Sequence, residues 1–148
     1  MIREATLEDI DAVIAMGKRF IAFSPHAGMV HATDDQLRST FGMLMSSGKI
    51  FVAEVGEDIV GMLVGVIAPT WFAPDTPIAT ELAWWVDEHH RKGTAAIRLV
   101  QAFEEWAKAS GAAIACMCEM VVDGQPPVGD MIQRMGYIPS ERAFIKEI

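Results

Sequence analysis

Cysteine is scarce in this sequence, which contains only Cys116 and Cys118 among 148 residues. Residues two positions apart on one strand are poorly placed for a disulfide, and the spacing is not that of a CxxC motif. We therefore expect two reduced thiols and no disulfide framework. Because no further ligands stand beside them and the four histidines are scattered along the chain, we also expect no metal site.

Long apolar runs are missing as well. No stretch of the sequence approaches the roughly 20 apolar residues that a membrane-spanning helix needs, so we expect no membrane association of that kind. The first residues lack the basic start and the apolar stretch of a signal peptide. We therefore expect a cytoplasmic protein.

Positive charge is the third scarce feature. The chain has 12 lysines and arginines against 20 aspartates and glutamates, a formal net charge of −8. Nucleic-acid binding is not expected, because phosphate neutralisation needs a basic face, whereas an acidic surface favours cationic substrates such as amines. His89, His90, Arg91 and Lys92 form a local basic cluster in this acidic chain, and we expect an anionic ligand to bind there.

Apolar residues are abundant, at 51% of the sequence, and they follow regular patterns. The length fits a single domain over residues 1–148. Helical spacing of apolar residues and capping patterns predict four helices, which begin near Thr6, Thr33, Thr94 and Val128. The helix from Thr94 is predicted to turn Ile97, Val100, Phe103, Trp106 and Ala107 inward.

Alternating apolar segments predict the strands. The segment from Pro69 to Pro77 is predicted to be a loop. The predicted order is β-α-α-β-β-β-α-β-α-β, an α/β (α+β) fold with a mixed, partly antiparallel sheet flanked by helices. The predicted strands are Ile2–Ala5, Lys49–Val55, Ile59–Ala68, Ile78–Val86, Ala112–Val122 and, at the end of the chain, Tyr137–Ile138 with Arg142–Ile148.

The turn between the strand at Ile78–Val86 and the next helix has the features of a phosphate site. A helix N-terminus offers unpaired N–H groups and partial positive charge, and small residues let an anion approach the backbone. Arg91 and Lys92 add formal charge there, and Gly93 is followed by small or hydroxyl side chains. An ordinary exposed turn with solubilising charges is the alternative interpretation.

The order of elements resembles the GNAT superfamily of N-acetyltransferases over nearly the whole chain. The hairpin at residues 51–61 resembles the second and third strands of that family, and residues 133–137 resemble its last helix running into a Gly-Tyr strand start. The turn resembles the family's cofactor motif of Arg or Gln, two residues, Gly, one residue, and Gly or Ala. Starting the motif at Arg91 puts Thr94 in place of the first Gly, whereas starting at His90 loses the Arg or Gln; we prefer Arg91.

The resemblance implies acetyl-CoA as co-substrate. Its diphosphate would bind at the turn, and its pantetheine arm would pair with the strand that ends at Val86. A backbone N–H of Trp85 or Val86 would stabilise the oxyanion. The implied cofactor-binding residues are Trp85, Val86, Arg91, Lys92, Gly93, Thr94, Ala95 and Ala96.

Glu81 is the candidate general base, since the attacking amine must lose a proton and family members often carry a glutamate on this strand. The alternative is a surface glutamate with no role. Many family members protonate the leaving thiolate with a tyrosine in the last helix, where this chain has Ile132. We therefore name no general acid.

The amine site is expected between the first two helices and in the following loop, with Phe23, His26 and Trp71 as candidate substrate contacts. The function implied is transfer of an acetyl group from acetyl-CoA to a primary amine by direct attack in a ternary complex, and a homodimer is common in the family. Two alternatives stay open: a non-catalytic domain that binds acyl-CoA or a partner protein, and a structural interaction domain without cofactor.

Overall fold

One five-stranded sheet runs through the computed structural model, which describes residues 1–148. The strands lie in the order β1-β2-β3-β4-β5, and every neighbouring pair is antiparallel except β4 and β5, which are parallel. This confirms the predicted mixed, partly antiparallel α+β architecture. The strands are β1 (Ile2–Glu4), β2 (Lys49–Val55), β3 (Asp58–Thr70), β4 (Ala73–Val86) and β5 (Ile114–Cys116).

Four α-helices flank the sheet, as predicted. They are α1 (Ile10–Phe23), α2 (Asp34–Ser47), α3 (Ala95–Ala109) and α4 (Gly129–Arg134), with single 3-10 turns at Leu7–Asp9 and Glu88–His90. The predicted capping box opens α2: the Gln36 N–H donates to Thr33 Oγ1 at 3.2 Å, and the Thr33 N–H donates to Gln36 Oε1 at 2.8 Å. None of the helices combines the length and the apolar character needed to cross a bilayer.

The helices α1 and α2 cover one face of the sheet. Their buried residues pack with alternate residues of β2, β3 and β4, among them Val52, Val64 and Trp85. The two helices approach closely at Gly17, where a Cβ would come within 2.9 Å of the Phe41 ring. The same layer also contains the end of β4 and the last turn of α1.

The helix α3 covers the opposite face. Its buried stripe consists of Leu99, Val100, Phe103 and Ala107. The prediction that Ile97 points inward is wrong: its side chain is 37% exposed. At 100° per residue Ile97 lies to the side of the stripe that those four residues define, and Leu99 takes the inward position.

The predicted loop from Pro69 to Pro77 is mostly strand. The two prolines are paired with each other across the β3–β4 hairpin, which turns only at Trp71 and Phe72. Proline is tolerated there because β2 pairs with β3 only as far as Gly65 and β5 pairs with β4 only from Ile78, so no neighbouring strand needs the missing N–H groups.

The predicted last strands are not formed. Residues 135–148 contain neither helix nor strand, and β5 has three residues rather than the eleven of Ala112–Val122. A strand needs a hydrogen-bonded neighbour, and β5 has one only along β4. The apolar side chains that suggested a final strand, Ile138 and Phe144, are 85% and 86% exposed.

Candidate active site

A fork in the sheet lies where β4 and β5 separate. The two strands pair from Ile78 with Ile114 to Thr80 with Cys116, and no pairing follows, although β4 continues to Val86. Beyond Thr80 the edge of β4 that faces away from β3 has no partner strand. An open strand edge presents backbone N–H and C=O groups to whatever enters the gap.

A β-bulge bends β4 at the fork. Gly65 of β3 pairs with Glu81 and Val64 pairs with Ala83, so that Leu82 is an extra residue with no counterpart on β3. Bulges bend a strand, increase its twist and re-aim its side chains. The bulge therefore lies at the same residues as the separation of β4 from β5.

Glu81 lies at this fork, and its carboxyl group is buried. The residue is 6% exposed, and Oε2 accepts a hydrogen bond from the Cys118 N–H at 3.1 Å. Burial raises the pKa of Glu81 to about 7, against the opposing effect of the Cys118 hydrogen bond. A carboxyl group of this pKa can accept and release a proton near neutral pH.

The N-terminus of α3 has free backbone donors. Ala95 is the first helical residue, and Thr94 makes no side-chain capping hydrogen bond. The Gly93 N–H donates to the His90 carbonyl at 3.2 Å, whereas the first-turn N–H groups of Ala95 and Ala96 have no intrahelical acceptor. No acidic residue lies in the first turn, and Lys92 is exposed beside it. This end of the helix can therefore hold an anion.

Arg91 is held at the end of β4. Its Nε donates to the Val86 carbonyl at 2.8 Å. Its guanidinium carbon lies 4.7 Å from the centroid of the Trp85 ring and 5.4 Å from that of Phe23. Both separations are within the range of a cation–π contact.

Asp87 and Arg19 were not found by sequence reasoning. The Trp85 Nε1–H donates to Asp87 Oδ1 at 2.8 Å, and Arg19 pairs with the same carboxylate through Nε at 3.0 Å and Nη2 at 3.1 Å. Arg19 and Asp87 are 68 positions apart, so no spacing signal could have joined them. Together they fix the Trp85 ring.

The three candidate acceptor residues are not brought together. Phe23 packs edge-on against Trp85, with 5.5 Å between ring centroids. His26 is exposed in the segment after α1. Trp71 is 93% exposed at the tip of the β3–β4 hairpin. From Ala73, beside this tip, to Glu81 the strand advances by eight residue steps, or about 26 Å.

The region of α4 supplies no obvious proton donor. Ile132 is buried in α4. The hydroxyl group of Tyr137 is buried without a hydrogen-bond partner. Burial and the neighbouring Glu104 carboxylate raise the pKa of Tyr137. The tyrosine therefore keeps its proton at neutral pH, and its hydroxyl group is shielded from solvent although the ring is only partly buried.

The sequence profile of the Acetyltransferase (GNAT) family matches residues 19–137, which is well over half of the chain. The chain belongs to the GNAT acetyltransferase family. The matched segment contains the fork, Glu81 and the whole of α3. No curated protein matches the sequence.

Solved structures of this fold resemble the whole chain. A transcriptional regulator from Bacillus halodurans superposes with a TM-score of 0.80 at 20% identity, covering 100% of this chain and 99% of that one. The aminoglycoside antibiotic 6'-N-acetyltransferase AAC(6')-Ig from Acinetobacter haemolyticus gives 0.73 at 16% identity, with 100% and 99% covered.

A third similar structure, that of AAC(6')-Iy, is a complex with the bisubstrate analogue CoA-S-monomethyl-acetylneamine. It superposes with a TM-score of 0.77 at 14% identity and covers 99% of this chain and 95% of that one. At such identities these likenesses establish the GNAT fold.

Proposed function

We propose that the chain is an N-acetyltransferase that moves the acetyl group of acetyl-CoA to a primary amine by direct attack in a ternary complex. Residues 1–148 would form one such domain, in the cytoplasm. The observation that carries this proposal is the buried carboxyl group of Glu81, whose pKa of about 7 suits a general base, at the fork between β4 and β5.

The open edge of β4 and the start of α3 fit acetyl-CoA. Backbone groups on the open edge beside Val86 would pair with the pantetheine arm, because no strand uses that edge. The backbone groups of Trp85 face β3 instead: the Asp87 N–H donates to the Val60 carbonyl, and hydrogen-bonded positions alternate along the strand pair. The diphosphate would bind the free N–H groups at the start of α3 together with nearby positive charge, through Arg91, Lys92, Gly93, Thr94, Ala95 and Ala96. When bound, acetyl-CoA supplies the acetyl group as an activated thioester.

Glu81 would take a proton from the ammonium form of the acceptor, which frees the nitrogen lone pair for attack. A C–N bond forms as the C–S bond breaks, and the nitrogen gives up its remaining excess proton to solvent. The N–H of Val86, which faces the open edge of β4, would donate to the acyl oxygen while it carries charge. The buried Tyr137 hydroxyl has no partner and no access, so we assign the proton for the departing thiolate to solvent.

The acceptor class is proposed to be a cationic amine. The net charge of −8 favours such substrates, and two of the similar structures are named as aminoglycoside acetyltransferases or bind an acetylated aminoglycoside analogue. Aminoglycosides are therefore the first members of the amine panel. Phe23, His26 and Trp71 were the candidate contacts; Phe23 packs against Trp85, whereas His26 and Trp71 are exposed.

The test combines binding and turnover. Acetyl-CoA is titrated calorimetrically into the protein, and CoA release is then followed with a panel of amines. Glu81→Gln should bind acetyl-CoA as the original chain does but lose about 100-fold in kcat. The control Glu88→Gln, an exposed glutamate just after β4, should keep full activity.

Each alternative function corresponds to a distinct result. Binding of acetyl-CoA without turnover on any amine would favour a non-catalytic acyl-CoA-binding domain. Failure of the folded protein to bind acetyl-CoA would refute the proposal and favour a structural interaction domain. Full activity in Glu81→Gln would remove Glu81 from the mechanism.

A further inference from the structure

We infer that Phe23 is a positioning residue of the phosphate site: together with Trp85 it holds the Arg91 guanidinium in place for the diphosphate of acetyl-CoA. Phe23 lies on α1, whereas Arg91 lies 68 positions later in the turn before α3. The inference rests on the proposed function. It assigns Phe23 to the cofactor side rather than to the acceptor.

The guanidinium is fixed on three sides. The rings of Phe23 and Trp85 meet at an interplanar angle of 71°, and the Arg91 carbon Cζ lies near both ring centroids, at 5.4 Å and 4.7 Å. The Nε–H is used by the Val86 carbonyl at 2.8 Å. Neither Nη atom makes a hydrogen bond within the chain, so the two outer nitrogens are available to an anion.

The last two turns of α1 support this arrangement as a unit. Arg19 and Phe23 are four residues apart and therefore lie on the same side of the helix. Arg19 pairs with Asp87, and Asp87 accepts the hydrogen bond from the Trp85 indole. The side of α1 that contacts the end of β4 thus orients Trp85 through Asp87 and contacts Arg91 through Phe23.

An arginine on an exposed turn normally loses much rotamer freedom when it binds a phosphate. Here the stacking and the Val86 hydrogen bond fix the side chain before the ligand arrives. A non-aromatic residue at position 23 would remove one of the two cation–π contacts and leave the backbone of the phosphate site intact. The loss of binding affinity should therefore appear only with ligands that carry the diphosphate.

The test compares two acetyl donors by calorimetry. Acetyl-CoA carries the diphosphate, and S-acetylpantetheine does not. Phe23→Leu should raise the Kd for acetyl-CoA about 5- to 10-fold and leave that for S-acetylpantetheine unchanged within about twofold. Phe23→Tyr, which keeps the aromatic face, should restore acetyl-CoA binding. The control is Phe72→Leu at the hairpin tip, which should change neither Kd.

A double-mutant cycle with Arg91→Lys tests whether the effect of Phe23→Leu on acetyl-CoA binding acts through Arg91. Lysine keeps the charge but cannot reproduce the Nε hydrogen bond and the planar stack, so Phe23→Leu should have little further effect in that background. Equal losses for both donors, or a full Phe23→Leu effect in the Arg91→Lys background, would overturn the inference. Failure of the unaltered chain to bind acetyl-CoA would instead refute the proposed function, whereas normal acetyl-CoA binding by Phe23→Leu would refute only this inference.

Discussion

Glu81 is a carboxyl group whose ionisation near neutral pH is set by its burial. With a pKa of about 7, the proportion in the basic, ionised form grows as the pH rises from 6 to 8. We expect kcat/KM to rise over that interval, with an inflection near 7, if the acceptor is an amine of constant charge in this range. The profile measured for Glu81→Gln should lack this inflection, and its persistence in the variant would assign it to another group.

At the same residue scale, sequence reasoning selected Glu81, Arg91 and Phe23 as candidate site residues but did not predict their burial or their contacts. The type and position of Glu81 suggested a base, yet only the fold shows that the carboxyl group is buried at the fork. Phe23 looked like an acceptor contact because it begins an inter-helix segment. Its contact with Arg91 depends on tertiary packing, which has no trace in local spacing.

Several elements are joined by one ion-pair cluster at the start of the chain. Arg3 of β1 donates to Asp9 at the start of α1 through Nη1 at 2.7 Å and Nη2 at 2.8 Å, and to Glu54 of β2 through Nε at 2.8 Å. Asp9 is buried and also accepts from the Thr6 N–H at 2.8 Å. The Arg3 guanidinium is the main reason why the pKa of Asp9 lies well below its ordinary value.

Asp9→Asn should therefore lower the free energy of unfolding by about 2 kcal/mol at pH 7, because it weakens charge-assisted hydrogen bonds of a buried group. The control is Asp11→Asn, whose exposed carboxylate pairs only with Arg38 and should matter by less than about 0.5 kcal/mol. Urea unfolding of both variants measures the difference. The stabilisation by Asp9 should disappear as the pH falls and the carboxylate is protonated, since its folded-state pKa is lowered. Equal effects of the two substitutions would contradict this assignment.

The elements that sequence predicted best carry their own local signals. The helix α2 has a capping box, and its predicted start at Thr33 is confirmed. The elements predicted worst depend on neighbouring strands. The prolines of the β3–β4 hairpin do not interrupt the sheet, because the adjacent strands end before they reach them. Residues 142–148 alternate between apolar and polar side chains but have no partner strand. Local pattern contains no information about either condition.

At the scale of the whole molecule, the spacing between the α3 layer and the sheet depends on a glycine. A Cβ at Gly65 would lie 2.6 Å from the Phe103 ring and 3.1 Å from the Trp106 ring. Gly65→Ala should push α3 away from β3 and lower the free energy of unfolding by about 1–3 kcal/mol. Gly42→Ala, in an α2 position with nothing within 4 Å, should raise it by about 1 kcal/mol.

Thermal and urea unfolding of these two variants measure the changes in the free energy of unfolding, which should have opposite signs. A neutral Gly65→Ala would mean that the two layers tolerate a wider separation. The start of α3 is part of the proposed phosphate site, so a displaced α3 should also weaken acetyl-CoA binding, which gives a second readout on the same protein.

The bulge at Leu82 also determines how the chain can change length. Ala79 and Trp84 pack on the α3 face, whereas Ala83 and Trp85 pack on the opposite face, and this assignment holds only because Leu82 is left out of the alternation. A deletion inside a strand usually turns every following side chain to the wrong face. Deletion of Leu82 would instead leave each remaining residue of β4 on its present face and remove only the bend. A chain shortened by this one residue would thus retain both cores while losing the bend beside which the cofactor is proposed to fit.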